Sequence, residues 1–233
     1  MNIAILGYGK MGKAIENIAI KRGHTIVLKV SSDTINYTLE QVDVAIDFSL
    51  PSSAFENISN CLHQQTPVIS GTTGWLDKYH DVVSLCNEKK GTFLYASNFS
   101  LGVNIFFEVN RTLAELMKGL PQYDVNIEEI HHTQKLDAPS GTAISLAEAI
   151  IKHSDYKNWT LETPKPKEIG ILAKRIDSVP GTHEINYESE VDSISIKHTA
   201  HSREGFALGA VIAAEWIHDK IGVFTMKDVL NIG

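Results

Sequence analysis

The stretch "NIAILGYGKMGKAI" (Asn2–Ile15) decides the fold. Asn2 to Leu6 is a short apolar run that reads as a buried strand, and "GYGKMG" interrupts it at once. Met11, Ala14, Ile15, Ile18 and Ala19 then recur at helical spacing, with Gly23 placed to stop the helix. "TIVLKV" (Thr25–Val30) is the next strand, so the chain opens on a β–α–β unit. Gly7, Gly9 and Gly12 form G-x-G-x-x-G between the first strand and the helix. In that position each glycine has a physical task. The first permits a tight turn, the second lets a pyrophosphate approach the backbone, and the third allows close helix–strand packing. The helix N-terminus supplies free N–H groups and a positive dipole end for the phosphate charge. The reading is a dinucleotide site.

Such a site expects an acid roughly 20 residues on, at the end of the second strand, to bind the adenosine ribose. Here the segment is "VSSD" (Val30–Asp33). Asp33 suits both ribose hydroxyls and NADH, whereas Ser31 and Ser32, with Lys29 or Lys10, suit the 2′-phosphate of NADPH. No arginine is present there to clamp that phosphate. The expectation is use of NADH and/or NADPH.

The alternation continues with a strand in "VDVAIDFS", a serine-capped helix in "SSAFENISNCLHQQ", and a strand in "PVIS". A helix from Trp75 to Lys90, closed by Gly91, and a strand in "TFLYAS" follow. Strands alternating with helices predict a parallel sheet covered on both faces. "GTTGW" (Gly71–Trp75) and "ASNFS" (Ala96–Ser100) lie at strand ends, where a nicotinamide or ribose contact is placed in such sheets. After about Gly102 the grammar changes. A long helix (103–118), a strand in "YDVNIEEIHH" and a helix (142–152) precede three strand-like runs without intervening helices. This predicts a second, α+β domain, with the last helices returning to the first.

Within that second part, "EIHHTQKLDAPSGTA" (Glu129–Ala143) crowds two histidines and a lysine before a proline–serine–glycine turn. On a strand His131 and His132 point to opposite faces, so they do not chelate one metal together, and no metal is expected. His198 and His201 read as surface or hydrogen-bonded histidines. Without a metal, histidine beside lysine suggests proton transfer and anion binding. Ser140 and Thr142 are cap candidates for a helix whose first N–H groups face an anion beside Lys135.

Composition bounds the rest. The chain has 233 residues, 43% of them hydrophobic, and a formal net charge of −7. The charge argues against non-specific nucleic-acid binding. No apolar run is long enough to cross a bilayer, and the N-terminal run reads as a strand and not a signal peptide. Cys61 and Cys86 fit no metal or redox spacing, so a cytoplasmic location is expected. Residue chemistry alone leaves open another two-domain dehydrogenase or a non-catalytic dinucleotide sensor.

Taken together, "GYGKMGKAIE", "VDVAIDFSLP", "GTTGW", "ASNFSLGVN", "EIHHTQKLDAPSGTA", "RIDSVPGTHEI" and "HTAHSREGFALGAVIAAEW" resemble the 4-hydroxy-tetrahydrodipicolinate reductases of lysine biosynthesis through diaminopimelate. The resemblance spans nearly the whole chain. It implies an α/β fold: a Rossmann-type parallel sheet domain (1–101 plus 207–233) with an inserted α+β substrate and oligomerisation domain (102–206). It also implies a homotetramer, a cyclic dicarboxylate substrate, and hydride transfer to C4 after loss of the 4-hydroxyl as water. By matching positions, His131 is the implied general acid and Lys135 a proton donor, with His132, Gly141 and Thr142 binding substrate. Gly7, Gly9, Met11 and Gly12 are implied at the cofactor phosphates. Phe48, Gly71, Thr72, Thr73, Ala96, Ser97, Asn98 and Phe99 are implied at the nicotinamide and ribose. The segment "VSSD" lacks the acid–arginine pair of some members, and Ser97 stands where proline is common.

Overall fold

A computed structural model describes residues 1–31, 34, 37–202 and 204–232. Ser32 and Asp33, considered above for the ribose, lie outside the described residues. The chain divides into two compact units, Met1–Asn104 with Glu204–Gly233, and Ile105–Arg203. Among the described residues no helix is long and apolar enough to cross a membrane.

The first unit is a six-stranded parallel sheet flanked by helices. Its strands are β1 (Asn2–Leu6), β2 (Thr25–Val30), β3 (Val44–Asp47), β4 (Val68–Ser70), β5 (Thr92–Tyr95) and β11 (Gly222–Phe224), in the order β11-β5-β4-β3-β1-β2. Strands β1, β3 and β4 are buried on both faces, which explains their unbroken apolar reading. The chain steps from β1 to β2 on one side and then returns to place β3 on the other. That reversal opens a crevice at the carboxyl ends of β1 and β3.

Helix α1 (Lys10–Lys21) packs on α6 (Glu204–Ile217). Helix α6 buries Ala207, Gly209, Ala210, Val211, Ala213, Ala214 and Ile217. Its small residues allow close approach. A Cβ on Gly209 would stand 1.7 Å from the carbonyl oxygen of Phe99, so only glycine lets this helix lie on the turn after β5.

Several local expectations shift. Helix α2 (Pro51–His63) starts with Pro51 in its first turn and has no side-chain cap, so the expected serine caps are absent. A 3₁₀ turn (Leu76–Lys78) precedes α3 (Tyr79–Lys89) where one helix from Trp75 was expected. The left-handed residue ending α3 is Lys90 (φ 51°), one before Gly91. Gly91 serves packing instead, since a Cβ there would meet Leu62 at 2.8 Å. Strand β11 was not expected; it is three residues long and, unlike the equally short β4, buries none of them fully.

The second unit holds α4 from Ile105 onward (the helix is Leu101–Met117), α5 (Gly141–His153) and a five-stranded mixed sheet. Its strands are β6 (Asp124–His131), β7 (Asn158–Thr160), β8 (Glu168–Arg175), β9 (Gly181–Glu188) and β10 (Ser193–Ala200), in the order β10-β9-β6-β8-β7. Strand β7 lies just before the loop "ETPKPKE" and was also not expected. Helix α5 buries Ala143, Leu146, Ala147 and Ile150, one stripe at i, i+3, i+4 and i+7. Val125, Ile127, Ile169, Ile171, Ile185 and Tyr187 face it across the core.

Candidate active site

In the first unit, each segment implied at the cofactor directly follows a strand: Gly7 after β1, Phe48 after β3, Gly71 after β4 and Ala96 after β5. Parallel alignment brings these ends to one edge of the sheet. A cavity of about 840 Å³ opens there, lined by Gly7, Gly9, Ser31, Thr34, Phe48 and Asn60 among others.

The glycine loop has the geometry its spacing calls for. Gly7 has φ +99°, and a Cβ on it would lie 2.2 Å from the carbonyl oxygen of Phe48. A Cβ on Gly12 would lie 2.4 Å from the carbonyl oxygen of Gly7. Gly9, by contrast, has open space where a Cβ would be, and it is exposed. Two glycines therefore close the turn and the third leaves room for phosphate. The first N–H groups of α1, at Lys10, Met11 and Gly12, have no intrahelical acceptor. These residues fit a dinucleotide.

Behind this edge lies a buried polar knot. The Asp47 carboxylate accepts hydrogen bonds from Ser70 Oγ (2.7 Å), Thr72 Oγ1 (2.8 Å) and Asn57 Nδ2 (3.2 Å). Burial pushes the Asp47 carboxyl up against the opposing pull of these donors. The Ser49 N–H donates to Thr72 Oγ1 (2.9 Å), and the Trp75 indole donates to the Thr72 carbonyl (2.7 Å). Thr72 is thus committed to holding the loop, while Thr73 is exposed. Phe48 stacks tilted on Phe99 at 5.6 Å, and its ring fills the place of a Cβ on Gly71. Asn98 accepts from the Ser100 N–H (2.9 Å), Ser97 is exposed and Ala96 is buried.

In the second unit, the register of the sheet builds the His–His–Lys site. Val125, Ile127, Glu129 and His131 share one face of β6, and all are buried. The strand's inner face thus turns from apolar to ionisable toward its end. Glu129 pairs directly across from His183 on β9, and His131 pairs with Arg175 on β8. Glu129 Oε2 makes a 2.9 Å ion-pair contact with His131 Nδ1, and its Oε1 accepts from Arg175 (3.1 Å) and the Ser140 N–H (3.1 Å). Burial alone would push the Glu129 carboxyl up; His131, Ser140 and Arg175 outweigh it and hold it at about 2. His183 Nε2 lies 3.0 Å from Ser140 Oγ, and burial, with His131 nearby, lowers its pKa to about 4.

Glu129, His131 and His183, one carboxylate and two imidazoles from adjacent strands, offer ligand atoms within 4.8 Å of one another. The Arg175 guanidinium already supplies positive charge to this carboxylate, which disfavours a second cation beside it. The period-two pattern of "VNIEEIH" held the signal for Glu129, while His183 and Arg175 required the strand pairing.

Arg175 also donates to the carbonyls of Lys135 (3.3 Å) and Asp137 (2.5 Å), pinning the loop after β6. The Lys135 ammonium lies 2.8 Å from both carboxylate oxygens of Asp137. Ser140, and not Thr142, caps α5: its Oγ accepts from the Ala143 N–H (3.2 Å), and its carbonyl accepts from the Ile144 N–H (3.0 Å). Gly141 and Thr142 keep the N–H groups with no intrahelical acceptor, and the space beside Gly141 is open. His132 is half-buried with its Nδ1 inward.

The parallel sheet, glycine loop and strand-end cavity define a dinucleotide-binding α/β oxidoreductase. Residues 1–99 match the family described as "Dihydrodipicolinate reductase, N-terminus" and residues 102–230 the one described as "Dihydrodipicolinate reductase, C-terminus". The chain is 57% identical to a 4-hydroxy-tetrahydrodipicolinate reductase of Christiangramia forsetii, over 99% of this chain and 98% of that one. It is 34% identical to the enzyme of that name from Neisseria meningitidis, over 93% of this chain and 84% of that one. A dipicolinate-bound dihydrodipicolinate reductase from Paenisporosarcina shares the fold, with a TM-score of 0.78, 23% identity and 97% coverage of each chain. The chain belongs to the dihydrodipicolinate reductase family.

Proposed function

We propose that the protein reduces 4-hydroxy-tetrahydrodipicolinate to tetrahydrodipicolinate in lysine biosynthesis, with loss of the 4-hydroxyl as water. The observation that carries this reading is the pairing of His131 with Glu129 beside two unclaimed helix N–H groups, in a chain 57% identical to such a reductase. The first unit is the cofactor domain and the second the substrate domain.

When bound, NADH or NADPH supplies the hydride that reaches C4. Gly7, Gly9, Met11 and Gly12 hold its phosphates, and the segments at Phe48, Gly71–Thr73 and Ala96–Phe99 hold its nicotinamide side. His131 delivers the proton that C3 requires. Lys135, His132 and the Gly141 and Thr142 N–H groups bind the two carboxylates, and Lys135 is a second proton donor. Charge-assisted hydrogen bonds of this kind are about twice as strong as neutral ones.

Both nucleotides serve as cofactor. Lys29, considered for a 2′-phosphate, is 2.5 Å from Glu16 and 4.9 Å from the centre of the Tyr8 ring, so its charge is already met. The cavity wall near Ser31 carries hydroxyls, amides and Glu56, which suit an unphosphorylated ribose at least as well. We further propose a cytoplasmic homotetramer assembled through the second unit's sheet, where Leu172, on the face opposite the core, is 55% exposed. The test is a coupled assay with freshly generated hydroxy-tetrahydrodipicolinate and each nucleotide in turn. Nucleotide oxidation dependent on that substrate is expected; binding of NADH without turnover would refute the activity.

A further inference from the structure

We propose that Glu129 is a positioning residue for the reduction: its buried carboxylate anchors Nδ1 of His131, leaves Nε2 as the nitrogen that exchanges the proton and supplies the counter-charge of the imidazolium. The inference rests on the reading of His131 as the acid and adds a second residue, acting through it.

Three observations converge. Glu129 is fully buried, and its Oε2 faces His131 Nδ1 at 2.9 Å; neither atom has a hydrogen-bond partner among the described residues, so each is left to the other, with His183 Nε2 farther off at 3.8 Å. The other oxygen, Oε1, is held from two sides by Arg175 and by the Ser140 N–H, so the carboxylate cannot rotate without losing both. The opposite ring atom, Nε2, faces Gly181, where a Cβ would come within 3.1 Å. The imidazole is thus clamped at Nδ1 and given room at Nε2. A buried carboxylate that accepts from Nδ1–H fixes the tautomer in which Nε2 exchanges the proton.

The surrounding charges fit this division. His183 packs edge-on to His131 at 5.0 Å and hydrogen-bonds Ser140, and His198 lies opposite His183 on β10. Neutral His183 spares His131 a second cation. Arg175 is spent on Glu129 and the loop carbonyls, and Lys135 on Asp137. Glu129 is therefore the carboxylate that touches His131.

The experiment compares wild type, Glu129→Gln and Glu129→Asp. In Glu129→Gln, kcat is expected to fall about 10- to 100-fold, less than the roughly 10²–10⁴-fold effect of a lost acid. KM for nucleotide and dicarboxylate should stay within about 2-fold. The alkaline limb of kcat/KM should move to lower pH by about one unit or more, because the amide no longer favours the imidazolium. Glu129→Asp should restore part of that displacement. A folded Glu129→Gln enzyme with an unmoved limb would overturn the proposal, since a merely structural role leaves the limb in place. Nitrogen-15 NMR of the imidazoles in wild type is the second measurement, needed if the amide variant does not fold. Neutral His131 should carry its proton on Nδ1; a proton on Nε2 instead would overturn the proposal. Failure of wild type to turn over the dicarboxylate would sink the functional reading alone, because the NMR tautomer is read without substrate.

Discussion

Lys135 and Asp137 form a two-pronged ion pair, Nζ lying 2.8 Å from each carboxylate oxygen two residues along the same loop. Asp137 thus occupies the ammonium in the way a substrate carboxylate would. Its side chain is 58% exposed, so the pair is screened and exchangeable.

Two outcomes follow for this loop. Lys135→Ala should lower kcat about 100-fold, the scale of a lost proton donor. Asp137→Asn should lower KM for the dicarboxylate up to about 5-fold, matching an exposed pair worth at most about 1 kcal/mol. Steady-state kinetics at low and high salt check both; near-normal turnover by folded Lys135→Ala removes it from the chemistry.

Gly12→Val should abolish useful nucleotide binding. Even a Cβ at this position lies 2.4 Å from the Gly7 carbonyl, so the loop must open. The expected loss is roughly 100-fold or more in Kd for NADH, about 2.8 kcal/mol. Fluorescence titration measures it, with circular dichroism confirming the fold; wild-type affinity would contradict the loop assignment.

Gly209→Ala tests the contact of α6 with the turn after β5. With 1.7 Å between the added carbon and the Phe99 carbonyl oxygen, the helix must move. Overpacking of this kind costs about 1–3 kcal/mol, and urea denaturation should show it. An unchanged midpoint would mean that α6 does not lie on Phe99.

His183 gives stability a pH dependence of definite sign. Its pKa falls from 6.5 to about 4 on folding, through burial first. Between those values the unfolded chain binds the extra proton, so stability is full above 6.5 and declines as pH drops toward 4. From pH 7.5 to 5.5 the loss should be about 1 kcal/mol, and His183→Gln should lose less. Equal losses in the two proteins would show that another group titrates.

The local pattern of the amino-acid chain determined much of this protein. Strand–glycine–helix order at Asn2–Lys21 is a matter of neighbouring residues, and it reads directly. So does the α5 stripe. Two short elements escaped: β7 and β11 span three residues each and, unlike the equally short β4, bury none of them fully. Caps also escaped where packing chose the residue, as at Lys90 and Pro51.

Tertiary structure alone decided the partners. Glu129 and His183 are 54 positions apart in number, and only antiparallel register places them side by side. Arg175 reaches the site through the parallel pairing of β6 and β8. Side-chain chemistry announces that a proton can move, but burial and cross-strand distance decide which carboxylate holds which imidazole. Those quantities exist only once the sheet has formed.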